Sequence, residues 1–465
     1  MKGLPIGYTQ SGKKIRYEVI RGGKKQPGES SLLLMGPPRS GKNDVLVPML
    51  MEYEGSAVVL TCKGDLCAVT AEHRRKRLKQ DVVVLSPFEI PVLDPYIRHL
   101  PRCGINPLES LNPDWDAFGV ECDAQAESVV IAKDNEREPH FIESAQGAVS
   151  GAIMGTVKYA SPEKRNLVTV YEKVCNGGFF DFADDMVGRG DALLDGRLGR
   201  FVGQKDNKEM ASIVSSAITQ FRFMGNRAIM RALSPSGGLR MLHWEDLRNK
   251  RPTTVYVILP VEYLGACARF LRLALGSAIM RLLAHTSGLP VLLMIDEFAA
   301  LGHMAIIENT MALSAGLNLL MLPVVQSADQ LRGLYGERMQ GFLSCAGCQI
   351  FLPPRDPVSA KLVSDLSGRK EVIAQSRSIG TDPRTGNPVV NDSASQQGVP
   401  VLSPDAVAGL GGEDMLIKVE SLPDIIHAKH RRYWENPEYV GMLSPDPYHA
   451  GKNRAGGFWK SFFGS

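Results

Sequence analysis

The sequence predicts an α/β fold with a mainly parallel central sheet and an inserted all-α segment. Three observations predict it. Short, apolar, β-branched runs at 57–61 (AVVLT), 82–85 (VVVL) and 253–259 (TTVYVIL) read as strands buried on both faces, the habit of parallel sheets. Helical patterns alternate with the first of them, giving the β-α-β-α-β rhythm of a doubly wound domain. From about 115 to 240 such runs vanish and helical patterns take over.

Element by element, residues 1–30 are rich in Gly and Lys, with Lys13, Lys14, Arg16 and Tyr17 in an early strand or arm. The first sheet strand is 31–35. A helix follows over 45–53, interrupted near Pro48 because proline lacks the amide that a helix interior uses. The strand at 57–61 leads into a helix over 67–79 with a basic end: Arg74, Arg75, Lys76, Arg77 and Lys79. Two readings of that run stand, a solvated helix face or a surface for DNA phosphates or a partner. Helices over 123–132, 140–159, 167–176 and 208–233 fill the insert, and Ala145, Gly147, Ser150, Gly151 and Gly155 suit close helix packing. Sheet strands resume at 253–259, 292–296, 319–325 and 348–352, with a helix over 263–285. Residues 376–400, rich in Ser, Gly, Asp, Asn and Gln, read as a flexible loop.

At 465 residues the chain is too long for one small core. Its 44% hydrophobic and 22% charged residues are those of an ordinary globular protein. A net charge of +3 excludes a polycation, so nucleic-acid binding would rest on local basic patches. Eight cysteines do not make a disulfide framework at this length, which fits a reducing cytoplasm. Cys345 and Cys348 form a lone CxxC with strand-like neighbours, and they read as structural thiols. No apolar stretch reaches the roughly 18 residues of a membrane-spanning helix, and residues 1–25 are too polar for a signal peptide.

The chemistry lies in two motifs. The strand at 31–35 runs into Gly36-Pro37-Pro38-Arg39-Ser40-Gly41-Lys42, most of a phosphate-binding loop. Glycines at its ends let backbone N–H groups converge on phosphate, and Lys42 reaches β- and γ-phosphate oxygens. The second motif, VLLMIDE at 291–297, is a strand ending in Asp296 and Glu297, suited to holding Mg²⁺ and activating water. Together they point to a nucleoside triphosphatase that uses ATP and Mg²⁺, the two stretches meeting at adjacent strand ends. The residue after Lys42 is Asn43, where such loops carry a Mg²⁺-binding Ser or Thr. An amide oxygen is the weaker ligand there, and Asp44 adds negative charge nearby. A loop that hydrolyses slowly, one that only binds nucleotide, and a turn that binds nothing all stay open on these residues alone.

From about residue 31 to 435 the chain resembles the conjugative coupling proteins of type IV secretion systems, the TraG/TraD-like DNA-pumping ATPases. Besides the two motifs, the resemblance rests on Lys63-Gly64-Asp65, Ile105-Asn106-Pro107-Leu108 and His140-Phe141-Ile142-Glu143-Ser144-Ala145. It continues through Asp296-Glu297-Phe298-Ala299-Ala300-Leu301-Gly302, Gln326-Ser327, Gln330-Leu331, Tyr335-Gly336 and the strand-and-turn Leu402-Ser403-Pro404-Asp405. The order of these pieces is more specific than any one of them. The resemblance implies a RecA-like hexamer with DNA passing through a central channel and the all-α part covering its mouth. It implies that Gly36, Pro37, Arg39, Ser40, Gly41, Lys42 and Asn43 bind the triphosphate. Asp296, with Asn43, would hold Mg²⁺, Glu297 would polarise the attacking water, and Gln326 would sense the γ-phosphate. Implied partners are DNA, a relaxase or effector protein, and channel components at the inner membrane, the chain itself being cytoplasmic and peripheral.

The resemblance divides the chain into nucleotide-binding parts at 1–114 and 241–440, an all-α insert at 115–240 and a tail at 441–465. That tail mixes cations and aromatics (Lys452, Arg454, Phe458, Trp459, Lys460, Phe462, Phe463), either without a role or as a dock for a membrane surface or secretion partner. Three departures accompany the resemblance. Asn43 is one, and the absence of the usual first membrane helices is another. The third is Leu313, in the Met311–Ser314 stretch where the family places an arginine that acts on a neighbour's nucleotide; Arg332 or Arg338 would have to substitute. His303 reads as structural. Two other functions stay open, a weakly hydrolysing recruitment adaptor and a DNA pump of the FtsK or HerA type.

Overall fold

The computed structural model describes residues 2–21, 24–28, 30–131, 139–314, 316–381 and 388–448. Its strands are β1 Leu4–Tyr8, β2 Lys14–Arg21, β3 Lys24–Pro27, β4 Leu32–Met35, β5 Ser56–Thr61, β6 Asp81–Leu85, β7 Cys103–Gly104 and β8 Arg240–Met241. They continue as β9 Thr253–Ile258, β10 Val291–Ile295, β11 Leu319–Val325, β12 Cys348–Phe351, β13 Arg369–Thr381, β14 Pro388–Pro400, β15 Asp414–Val419 and β16 Ile426–Lys429. Twelve of them form one sheet in the order β3-β2-β1-β16-β15-β12-β4-β11-β10-β5-β9-β6. From β12 to β6 every pairing is parallel, and from β12 out to β3 every pairing is antiparallel.

Apart from Asp81 at the start of β6, the parallel strands are buried along their length, as continuous Val/Leu/Ile runs require. One face packs on Val45–Met51 of the helix Lys42–Glu52 and on Leu66–Val69 of the helix Asp65–Lys76. The other face continues into the helices between Phe118 and Ala232 and into the helix Leu264–Ala284. The entry and exit of that helical stretch are pinned side by side. β7 pairs with β8, Ile105 N–H donates to Ala232 O (2.8 Å), and Leu242 N–H donates to Gly104 O (2.8 Å).

Several expectations need correction. The helix Lys42–Glu52 runs unbroken through Pro48. The proline forfeits one hydrogen bond, but every side chain from Asp44 to Met51 is buried, so packing holds the helix. The helix expected over 208–233 is Lys208–Gln220, a 3₁₀ stretch Phe221–Gly225, and a new helix Arg227–Ala232. Asn226 restarts it by accepting the Ala228 N–H. The supposed loop at 376–400 lies mostly in a two-stranded antiparallel ribbon of β13 and β14, separate from the main sheet. Leu402–Asp405 leads into the short helix Pro404–Ala408 rather than a strand. The basic run is split, with Arg74 fully buried while Arg75, Lys76, Arg77 and Lys79 are exposed. Cys348 is buried in β12 and Cys345 half-buried; both are free thiols. Of the tail, 449–465 lies outside the described residues.

Candidate nucleotide site

β4 ends at Met35 and the chain turns through the phosphate loop into the helix Lys42–Glu52. The turn needs its two outer glycines for different reasons. A Cβ on Gly36 would stand 2.7 Å from Ser40 Oγ and 2.8 Å from Leu352 Cδ1. Gly41 has φ +93°, and a Cβ there would stand 2.4 Å from His430 Cε1. Pro37 is buried, Arg39 is exposed with φ 64°, and the Ser40 hydroxyl is enclosed without a partner. Lys42 Nζ reaches only the loop's own carbonyls, Gly36 O at 3.0 Å and Pro37 O at 3.4 Å. An ammonium held by weak acceptors, an orphaned hydroxyl and a cradle that any Cβ would fill all fit a phosphate chain.

Asp296 and Glu297 leave the end of β10, and Gln326 leaves the end of β11. β4 and β10 are not neighbours: β11 lies between them, paired to both. The expectation of adjacent strand ends is thereby corrected, since parallel order is set by contacts that no local pattern encodes. The intervening strand is what delivers Gln326, whose Nε2 donates to Glu297 Oε1 (3.4 Å). Its backbone N–H donates to Gln330 Oε1 at 2.8 Å, which fixes the turn after β11. Behind the carboxylates, buried Arg272 donates to Leu301 O (2.6 Å) and His303 O (2.7 Å), locking 297–303. The His303 ring packs at a tilt against Tyr335, ring centroids 4.9 Å apart.

The charges are interdependent. Burial pushes the Asp296 carboxyl up to about 7, and repulsion from Asp65 and Glu297 adds to it, against attraction from Lys42 and Lys63. Burial pulls the Lys42 ammonium down, and Asp296 and Glu297 oppose that pull. Both effects come chiefly from burying charge at one site. Asn43 Nδ2 donates to Asp65 Oδ2 (2.8 Å), and Thr61 Oγ1 lies 3.5 Å from Asp65 Oδ1 and 3.4 Å from Asp296 Oδ2. An all-oxygen donor set of this kind fits a hard cation such as Mg²⁺.

Sequence reasoning assigned no role to Thr61, Asp65, His430 or Tyr433. Asp65 was visible only as the end of a strand-following Lys-Gly-Asp. Asp44 is buried against the C-terminal part of the described chain. It takes the Tyr433 N–H on one oxygen (3.1 Å), and His430 Nδ1 stands 3.1 Å from the other. Leu313 is 64% exposed at the end of the helix Ala305–Leu313. Arg332 lies 3.9 Å from Asp329 and Arg338 lies 3.4 Å from Glu308, both largely exposed.

A family model described as Type IV secretory system Conjugative DNA transfer matches residues 8–446. The chain belongs to this family. Protein VirD4 of Rhizobium rhizogenes is 25% identical over 413 residues, which cover 86% of this chain and 58% of VirD4. The conjugal transfer protein TraG of Escherichia coli is 23% identical over 457 residues, covering 88% of this chain and 68% of TraG. The chain thus spans rather more than half the length of the curated relatives it matches. Among solved structures, plasmid coupling protein TrwB with the ATP analogue ADPNP superposes with a TM-score of 0.65 at 13% identity, covering 93% and 94% of the two chains. TrwB with ADP and Mg²⁺ gives 0.62 at 14% identity, covering 93% and 94%. These likenesses show that the chain shares the α/β fold of TrwB. Among the described residues no helix is long and apolar enough to cross a membrane.

Proposed function

We propose that this chain is the ATPase of a type IV secretion system, a coupling protein that drives DNA, or a nucleoprotein or effector, toward the secretion channel. The observation that carries the reading is that β4, β11 and β10, consecutive in the sheet, bring Lys42, Gln326 and the Asp296–Glu297 pair to one edge. In this reading the loop N–H groups from Arg39 to Asn43 and the Lys42 ammonium hold the β- and γ-phosphates of ATP. Glu297 orients the attacking water and takes its proton as the γ-phosphoryl group leaves ADP. Gln326, bonded to Glu297, registers loss of that group and passes the change to the helix Ala328–Tyr335. Asp296, with Asn43, holds Mg²⁺, which when bound neutralises charge on the phosphates.

The assembled form is a hexamer, peripheral at the inner face of the membrane through a channel partner. Single-stranded DNA would be held by sequence-independent phosphate contacts. Exposed Arg75, Lys76, Arg77 and Lys79 are candidates for those contacts, and Arg332 or Arg338 for the arginine that Leu313 replaces. The division at 115 and 240 belongs to the same reading, with the helical insert over the channel mouth and the 441–465 tail docking the partner.

ATP hydrolysis measured with and without single-stranded DNA tests this. DNA-stimulated turnover, abolished by Lys42→Ala, is expected. Absence of both stimulation and oligomer at saturating DNA would refute it. The second reading, an adaptor that binds nucleotide without appreciable hydrolysis, is favoured by Asn43 and the exposed Leu313. It predicts that Lys42→Ala weakens nucleotide binding while wild-type turnover is already at background.

A further inference from the structure

The phosphate loop lacks the hydroxyl that normally follows its lysine, yet a hydroxyl stands at the metal side of the site, on a different element. Thr61 is the last residue of β5, which runs beside β10, and its side chain is completely buried. Its oxygen faces two carboxylates that come from separate strand ends, Asp65 Oδ1 at 3.5 Å and Asp296 Oδ2 at 3.4 Å. One hydroxyl carries one proton, so it cannot donate to both, and both separations are far beyond the roughly 2.7–2.8 Å of a good O–H···O bond. They are closer to the spacing of neighbouring ligands on one small hard cation. Bonds of 2.0–2.1 Å at right angles place two oxygens about 3 Å apart. Asn43 completes the group from the loop side by donating its amide N–H to Asp65 Oδ2 at 2.8 Å, while Asp65 Oδ1, facing Thr61, also accepts the Leu66 N–H at 3.0 Å.

Resting on the nucleotide-site reading above, we propose that Thr61 and Asp65 complete the Mg²⁺ site, so that the hydroxyl missing at Asn43 is supplied from the end of β5. Asn43 is then a positioning residue for Asp65 as much as a ligand. Such a transfer explains how a loop with an amide at this position retains a full set of oxygen donors.

The test measures the dissociation constant of a fluorescent N-methylanthraniloyl-ADP for the full chain, with MgCl₂ and with EDTA, and takes the ratio. Ligand and orienting-group losses at metal sites typically cost 10–100-fold in metal affinity. Thr61→Val is therefore expected to lower the Mg²⁺-dependent gain in affinity by about tenfold or more. Valine keeps the shape and strand preference of threonine, and Asp65→Asn, made at the mouth of the site rather than inside the sheet, gives an independent reading in the same direction. Adding Asn43→Thr to Thr61→Val should restore the response by returning a hydroxyl to the loop. The proposal is overturned if the ratio in Thr61→Val equals that of wild type. It is equally overturned if both affinities fall by one common factor, because Thr61 would then only brace the turn through its 3.3 Å bond from Gly64 N–H. A wild-type chain that binds no nucleotide overturns the underlying site, an outcome distinguishable from either of these.

Discussion

Replacing Arg74 by methionine should destabilise this protein more than removing any neighbouring base. The guanidinium is fully buried beneath the end of the phosphate-loop helix. It donates to Leu50 O, to Tyr53 O (3.2 Å), to Gly55 O (3.2 Å) and to Thr254 Oγ1 (2.7 Å). Leu50 O and Tyr53 O are among the carbonyls that a helix leaves without partners at its C-terminus, where a cation is also favoured by the helix dipole. Methionine keeps the apolar stem but orphans those two carbonyls. Gly55 O retains the Gln80 amide at 3.3 Å. Each orphaned acceptor costs about 1–3 kcal/mol, and relief from burying a charge returns part of it. The net expectation is about 2–5 kcal/mol. Urea unfolding followed by far-ultraviolet circular dichroism reads it, with Arg75→Met, an exposed residue paired to Glu72 at 3.1 Å, as the control near zero. Equal stabilities for the two variants would refute the claim that Arg74 is a structural strut.

Three further outcomes follow from the same geometry. Gly41→Ala combines a left-handed backbone with a Cβ 2.4 Å from His430 Cε1, so nucleotide affinity should fall at least tenfold, measured by fluorescent ADP titration. Glu297→Gln should slow hydrolysis by about 10²–10⁴-fold in a phosphate-release assay, since the amide cannot accept the water's proton. Glu72 is pushed up by burial but held down overall to about 2 by Arg75, Lys76 and His99. A depressed folded value means its contribution is present above the ordinary 4.5 and lost as pH falls through about 2. Screening at this partly exposed site limits it to about 1 kcal/mol. Glu72→Gln should therefore lower stability slightly at pH 7, and the difference should close between pH 4.5 and pH 2.

The parallel strands were legible because burial on both faces demands unbroken apolar runs, as in AVVLT and VVVL. Their order was not, because pairing β4 with β11 and β12 joins residues some 290 to 320 positions apart and leaves no local trace. The β13–β14 ribbon was missed for a related reason. The ribbon is a sheet of its own, and Val372 and Ile373 on it are exposed, so no buried face imposes alternation there. Asp296 and Glu297 were readable because they sit where a strand stops, Lys42 because it closes a glycine-bounded loop, and Gln326 through the family resemblance. Thr61 and His430 were not, since one closes an ordinary strand and the other contacts the loop from nearly 400 residues away. Arg74 was hidden by its neighbours, as charge runs carry no mark of which member turns inward.

The clasp on Asp44 has a bearing on how this protein is made. As the chain leaves the ribosome, the phosphate loop emerges within the first tenth of synthesis, yet β11, β12, His430 and Tyr433, which flank and brace it, come last. A nascent or prematurely terminated polypeptide would therefore carry the nucleotide motif without a formed pocket. Assembly of the pocket thereby waits for strands that lie far along the chain.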